Sequence, residues 1–226
     1  MMEAFIFDMD GTLFQTDRIL KLALDDTFDR LRNLHLWDTV TPIEKYREIM
    51  GIPLPEVWQQ LLPNHSLEVR DDANDYFHER LIHNIESGNG ALYPNVEEVF
   101  LHLKKEGHNI YIASNGLTDY LSAIVAFYGL DRWVTETFSI QQISTLDKGE
   151  LIGTIIRKYG IKNGAVIGDR LSDINAAKMN KLTAVGCRFD FAQEEELAQA
   201  DFVIENLFEI IPLSPKLSSN QFKGTI

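Results

Sequence analysis

The chain has 226 residues, with 21 Lys and Arg against 34 Asp and Glu, a formal net charge of −13. Its 45% hydrophobic and 24% charged residues match a globular composition and exclude a chain disordered throughout. The acidity argues against a nucleic acid polymer or an anionic membrane as the main partner, because both are bound by clustered Lys and Arg; most of the acids read as solvated surface. In chain order, Ala4-Phe5-Ile6-Phe7 is the first strand-like run. Short apolar runs follow at Asn109–Ala113, Thr137–Ile140, Gly164–Ile167, Thr183–Val185 and Phe202–Ile204. Most are apolar on both parities, as buried parallel strands are.

Helix patterns lie between these runs. Val96, Val99, Phe100 and Leu103 share one face, and so do Leu121, Ile124, Val125 and Tyr128. Leu151, Ile152, Ile155, Ile156 and Tyr159 form a third stripe. Each pattern closes on a glycine, the usual helix stop. Alternating strands and helices read as βαβ units around a parallel sheet, an α/β Rossmann-like core. Between about Gln15 and Gly90 the alternation breaks. That interval holds no convincing strand. It offers helix faces at Ile19–Leu31, Val57–Leu62 and Val69–Leu81, punctuated by Pro42, Pro53, Pro55 and Pro63. The expected division is therefore a core of residues 1–15 and 91–213, an inserted all-helical cap over 16–90 with a hinge at Ser87-Gly88-Asn89-Gly90, and an aperiodic tail over 214–226.

The single cysteine, Cys187, excludes an internal disulfide framework. Its apolar neighbours make it a buried, inert thiol. The six histidines show no ligand spacing. There is no signal-peptide pattern and no apolar stretch approaching a membrane span. A cytoplasmic monomer acting on a small molecule, with no membrane partner, is the expectation.

Four segments carry candidate chemistry, and each falls at the C-terminal end of a predicted strand, where open α/β sheets bind ligands. Asp8-Met9-Asp10-Gly11-Thr12 places two carboxylates two residues apart before a glycine turn. By itself it is either an acidic turn or a pair in which one acid attacks phosphorus and the other handles a proton. Ser114-Asn115-Gly116 is either an N-cap turn or a cradle for a phosphate oxygen. Lys148 is either a surface lysine or the counter-charge of a phosphate or a carboxylate. Asp169 and Asp173 are either helix N-terminal acids or part of a carboxylate cluster that calls for a divalent cation.

Together, in this order, the four segments closely resemble the motifs of the haloacid dehalogenase (HAD) superfamily of aspartyl-phosphate enzymes, over roughly residues 4–210. The helical insert resembles that family's C1-type cap. Leu92-Tyr93-Pro94-Asn95-Val96 and Lys104-Lys105-Glu106-Gly107 resemble its phosphoglycolate phosphatase and phosphomutase-like branch. The resemblance implies a phosphatase acting on a small phosphate monoester. Asp8 would be the nucleophile and Asp10 the general acid and base. Ser114, Asn115 and Gly116 would hold phosphate oxygens, and Lys148 would offset charge. Mg²⁺ would contact Asp8, the Asp10 carbonyl, Asp169 and Asp173.

Asp10 sets the chain apart from the dehalogenases, which lack that acid. A sugar phosphomutase is the alternative, although such mutases usually carry Glu where Gly168 stands. A phosphonatase would need a cap lysine, and only Lys21 and Lys45 offer one. A degenerate, non-enzymatic HAD module is a further alternative that the complete motif set disfavours. Two departures from the family pattern are Gly149, where many relatives have Pro, and Asn180-Lys181, where many have Ala-Gly. Arg47, near Met50-Gly51-Ile52-Pro53, is expected to meet an anionic substrate tail, with Arg18, Tyr46 and Trp58 as further cap candidates.

Overall fold

The computed structural model describes residues 4–49, 52 and 54–218. Met50, Gly51 and Pro53 of the turn near Arg47, and residues 219–226 of the expected tail, lie outside this range. Among the described residues there are six strands: β1 (Ala4–Phe7), β2 (Asn109–Ser114), β3 (Glu136–Ser139), β4 (Gly164–Gly168), β5 (Thr183–Cys187) and β6 (Phe202–Ile204). They pair in parallel in the order β3-β2-β1-β4-β5-β6. The order reverses between β1 and β4. Phe7 stands opposite Ile112 on one side and Ile167 on the other, so the chain leaves β1 at the switch point of the sheet.

The helices are α1 (Asp17–Asn33), α2 (Ile43–Ile49), α3 (Leu54–Leu61), α4 (Leu67–Glu86), α5 (Val96–Lys105), α6 (Thr118–Tyr128), α7 (Lys148–Tyr159), α8 (Leu171–Met179), α9 (Glu194–Leu197) and α10 (Ile210–Ser218). Strand alternation sends side chains to both faces. Phe5, Phe7, Ile110, Ile112 and Ile167 pack with α5, α6 and α10. Ile6, Tyr111, Ala113 and Val166 pack with α7 and α8. Both faces are covered, which is why the strands read as continuous apolar runs.

Helices α1–α4 form the helical segment between β1 and β2. Phe28, Trp58 and Phe77 meet at its centre, with Trp58 and Phe77 edge to face at 5.6 Å. This cluster continues through Leu13 and Phe14 into the sheet core. The chain enters and leaves the segment along paired backbone: the Tyr93 amide donates to the Leu13 carbonyl and the Gln15 amide to the Ala91 carbonyl, each at 2.9 Å. Helix α2 has no counterpart among the helix faces read from the sequence. It is only seven residues long, lies among prolines, and buries only Tyr46, too little to leave a periodic stripe.

One boundary differs from the sequence reading. Helix α10 carries on to Ser218, through the position where an aperiodic tail was expected to begin. Ile210 and Ser214 are buried, and the helix packs against α5. That tertiary contact holds together a stretch that reads locally as aperiodic. Among the described residues, no helix is long and apolar enough to cross a membrane.

Phe100 joins α5 to the sheet, its ring 5.1 Å from that of Phe7, and it is fully buried. Phe100→Ala should lower unfolding stability by roughly 3–5 kcal/mol, read from urea denaturation.

Candidate active site

The site forms where β1, β2 and β4 end. Asp8 is the first residue past β1, and its amide still donates to the Ile167 carbonyl at 2.8 Å. This last sheet bond aims Asp8 across the switch point. The chain then turns, with the amides of Leu13 and Phe14 donating to the Met9 carbonyl at 3.0 and 2.9 Å. Gly11 makes the turn with φ +75°, and a Cβ there would lie 2.5 Å from Asp169 Oδ2. Both the left-handed backbone and the close approach require glycine.

Asp8, Asp169 and Asp173 are all buried and offer carboxylate oxygens within 4.8 Å of one another. Lys148 stands between two of them. Its Nζ donates to Asp8 Oδ1 at 2.5 Å and pairs with Asp173 Oδ1 at 2.5 Å. Lys148 is a buried residue, not a surface lysine. It is the first residue of α7, started by the Asp147 side chain, which accepts from the Glu150 amide. Asp173 also caps α8, accepting from the Arg170 amide at 3.2 Å. Asp169 Oδ1 accepts from the Thr12 hydroxyl at 3.2 Å.

Gly168 leaves room for this arrangement, since a Cβ there would lie 2.1 Å from Asp173 Cγ. A glutamate at position 168 is incompatible with Asp173 as it stands. The two departures noted in the sequence meet each other: the Asn180 side chain donates to the Gly149 carbonyl at 2.8 Å, tying α8 to α7 outside the acid cluster.

The electrostatics follow from burial. Desolvation pushes the Asp8 carboxyl up, with Asp173 and Asp10 adding to it and Lys148 opposing. Asp169 is held well above the usual carboxylate range by burial and by the charges of Asp8 and Asp173. Burial pulls Lys148 down, but Asp173 and Asp8 outweigh it and keep the ammonium above the usual lysine range. One lysine does not balance the acids. The donor set is all carboxylate oxygen, which suits a hard divalent cation.

Asp10 is built differently. Its Oδ1 accepts from Thr16 Oγ1 at 2.6 Å and from the Tyr120 hydroxyl at 2.5 Å. Burial raises it, and these hydroxyls pull it back. Thr16 and Tyr120 were not read from the sequence. Nothing distinguishes their hydroxyls from others until α1 and α6 converge on Asp10. Ser114 is buried at the end of β2, and its Oγ accepts from the Gly116 amide at 3.0 Å. Ser114, Asn115 and Gly116 line the same crevice.

That crevice, about 110 Å³, has Asp8, Asp10, Lys148 and Asp169 on its floor and Leu20, Tyr46, Val57, Phe77, His78 and Leu81 from the helical segment above. Of the four cap candidates, only Tyr46 lines it. Arg47 is a correction: it does not line the crevice. Asp17 holds its guanidinium through two bonds of 2.8 Å and Glu44 adds a third at 2.9 Å. Glu44 one turn earlier in α2 and Asp17 at the start of α1 together satisfy it. Arg18 is exposed and donates to Gln15. Trp58 is buried and donates to Asn74.

The family model described as haloacid dehalogenase-like hydrolase matches residues 2–180. The chain belongs to the haloacid dehalogenase-like hydrolase family. It is 24% identical over 216 residues to pyrophosphatase PpaX of Listeria monocytogenes serotype 4b, covering 92% of this chain and 94% of that one. It is 22% identical over 219 residues to a phosphoglycolate phosphatase of Mannheimia succiniciproducens, covering 92% and 96%. Among solved structures, CbbY from Rhodobacter sphaeroides in complex with phosphate superposes with a TM-score of 0.77 at 21% identity, over 93% of this chain and 96% of that one.

Gly168→Ala drives a methyl group into Asp173. Calorimetric titration should show divalent-cation affinity weakened by about tenfold or more, with the protein still folded by circular dichroism.

Proposed function

We propose that the protein is a Mg²⁺-dependent phosphatase that hydrolyses a small phosphate monoester through an aspartyl phosphate on Asp8. The observation that carries this reading is the division of labour between two acids in one crevice. Asp8 faces the lysine and the carboxylate cluster, whereas Asp10 is held by two hydroxyls at 2.5–2.6 Å. The names of the relatives, a pyrophosphatase and a phosphoglycolate phosphatase, support the same chemistry.

In the first step an Asp8 oxygen forms a bond to phosphorus while the ester P–O bond breaks. Asp10 gives its proton to the leaving oxygen. In the second step a water attacks the same phosphorus, Asp10 takes the water's proton, and the bond to Asp8 breaks to release inorganic phosphate. Thr16 and Tyr120 orient Asp10 for both transfers. Lys148 steadies the Asp8 carboxylate and the negative phosphoryl oxygens, and Ser114 with the amides that follow it holds those oxygens. Asp8, Asp169 and Asp173, with the Asp10 carbonyl, would hold Mg²⁺, which neutralises phosphate charge and aligns the in-line transfer. The helical segment, residues 16–90, acts as the cap that keeps bulk water out of the first step. Gly168, which makes room for Asp173, favours the phosphatase over the mutase alternative.

The test is release of inorganic phosphate from a panel of phosphate monoesters, p-nitrophenyl phosphate included. Wild-type protein should turn over with Mg²⁺, lose activity on chelation with EDTA and recover it when Mg²⁺ is restored. Asp8→Asn should lower kcat by about 10³-fold or more. Equal turnover by Asp8→Asn and wild type would sink the mechanism. Asp10→Asn should slow turnover by roughly 10²–10⁴-fold, the usual worth of a positioned acid.

A further inference from the structure

The roof of the crevice has a chemical character that the floor does not. The helical segment contributes the apolar side chains of Leu20, Val57, Phe77 and Leu81, together with the phenol of Tyr46 and the imidazole of His78. None of its Lys or Arg residues lines the crevice. They are engaged elsewhere: Arg47 by Asp17 and Glu44, Arg80 by Asp26 at 2.6 Å, Arg70 by the carbonyls of Leu62 and Pro63. The two cations that do line it come from the sheet domain. Lys148 is committed to Asp8 and Asp173, and Arg170 is paired with Glu196 at 3.0 Å.

His78 is the exception in this roof. Both of its ring nitrogens are buried, and among the described residues neither has a hydrogen-bond partner. His78, on α4, is one of the residues that line the crevice that holds Asp8 and Asp10. Ring nitrogens closed off from solvent need a donor or acceptor to meet them. Burial lowers its pKa, with Asp75 opposing, which favours the neutral ring, able to donate at one nitrogen and accept at the other.

We infer that the substrate is the monophosphate of a small, uncharged, hydroxylated compound, and that His78 hydrogen-bonds a hydroxyl of its leaving group. This deepens the phosphatase reading and rests on it. A second phosphate or a carboxylate on the leaving group would be desolvated against Leu20, Phe77 and Leu81 with no free cation to meet it, a costly burial. Pyrophosphate and phosphoglycolate, the compounds in the relatives' names, both carry such a second anionic group. The roof of this chain therefore selects differently from what those names suggest.

The experiment compares glycerol 3-phosphate, phosphoglycolate, pyrophosphate and ethyl phosphate in the presence of Mg²⁺. Expected is a kcat/KM for glycerol 3-phosphate about tenfold or more above those for phosphoglycolate and pyrophosphate. His78→Phe should raise KM for glycerol 3-phosphate by about tenfold and leave kcat/KM for ethyl phosphate, which has no further hydroxyl, within about twofold. His78→Gln should recover part of the loss, and the ethyl phosphate rate reports that each variant is folded. A preference for phosphoglycolate or pyrophosphate, or an equal loss on both esters in His78→Phe, overturns the inference. Absence of turnover on every ester would count against the phosphatase reading instead. Calorimetric titration of Asp8→Asn protein then decides this inference separately. Tighter binding of glycerol 3-phosphate than of phosphoglycolate supports it, and the reverse order or equal binding overturns it.

Discussion

Four carboxylates, Asp8, Asp10, Asp169 and Asp173, share one crevice with the ammonium of Lys148, which pairs with two of them. Charges of one sign held this close in a poorly solvated place repel strongly, and much of the surrounding structure manages that repulsion. Lys148 divides its contacts between Asp8 and Asp173. Thr12 donates to Asp169. Thr16 and Tyr120 donate to Asp10, and the α8 amide of Arg170 donates to Asp173. Gly11 and Gly168 supply the clearance, because a methyl group at either would collide with Asp169 or Asp173. A hard divalent cation completes the balance in a site with only oxygen ligands.

The sheet makes this concentration of charge possible without exposing its own core. The strand order reverses between β1 and β4, so the loops after them diverge and leave a crevice at their ends. Buried parallel strands flanked by helices on both faces form a rigid platform, which fixes the distances among acids drawn from separate parts of the chain. The helical segment then closes the crevice from above. Its apolar centre of Phe28, Trp58 and Phe77 is continuous with the sheet core through Leu13 and Phe14. Its two connections run side by side, joined by backbone bonds between Leu13 and Tyr93 and between Gln15 and Ala91. Floor and roof have opposite characters as a result, charged below and mostly apolar above.

The helices α1 and α3–α7 were legible from the periodic apolar face each one buries, and the strands from short apolar runs, since most are covered on both faces. The motif acids were legible because each follows a strand, and strand ends are where such folds place chemistry. Helix α2 was not, since Tyr46 alone makes no stripe. The end of α10 was not, since its contact with α5 holds residues that read locally as aperiodic. Arg47 was misplaced for a related reason: a cation near a turn has many possible partners, and only the approach of α1 to α2 shows that Asp17 takes it.

What the sequence determined by itself was the set of parts: an α/β core, a helical insert, two acids before a glycine, a serine, a lysine and a further pair of acids, in an order that specifies one family. What only the tertiary structure decided was the set of partners. The Tyr120 hydroxyl on Asp10, the two carboxylates on Lys148 and the Thr12 hydroxyl on Asp169 join residues far apart in the chain. Hydrogen bonding and burial act through space, so their outcome depends on which elements converge, and local sequence carries no record of that convergence.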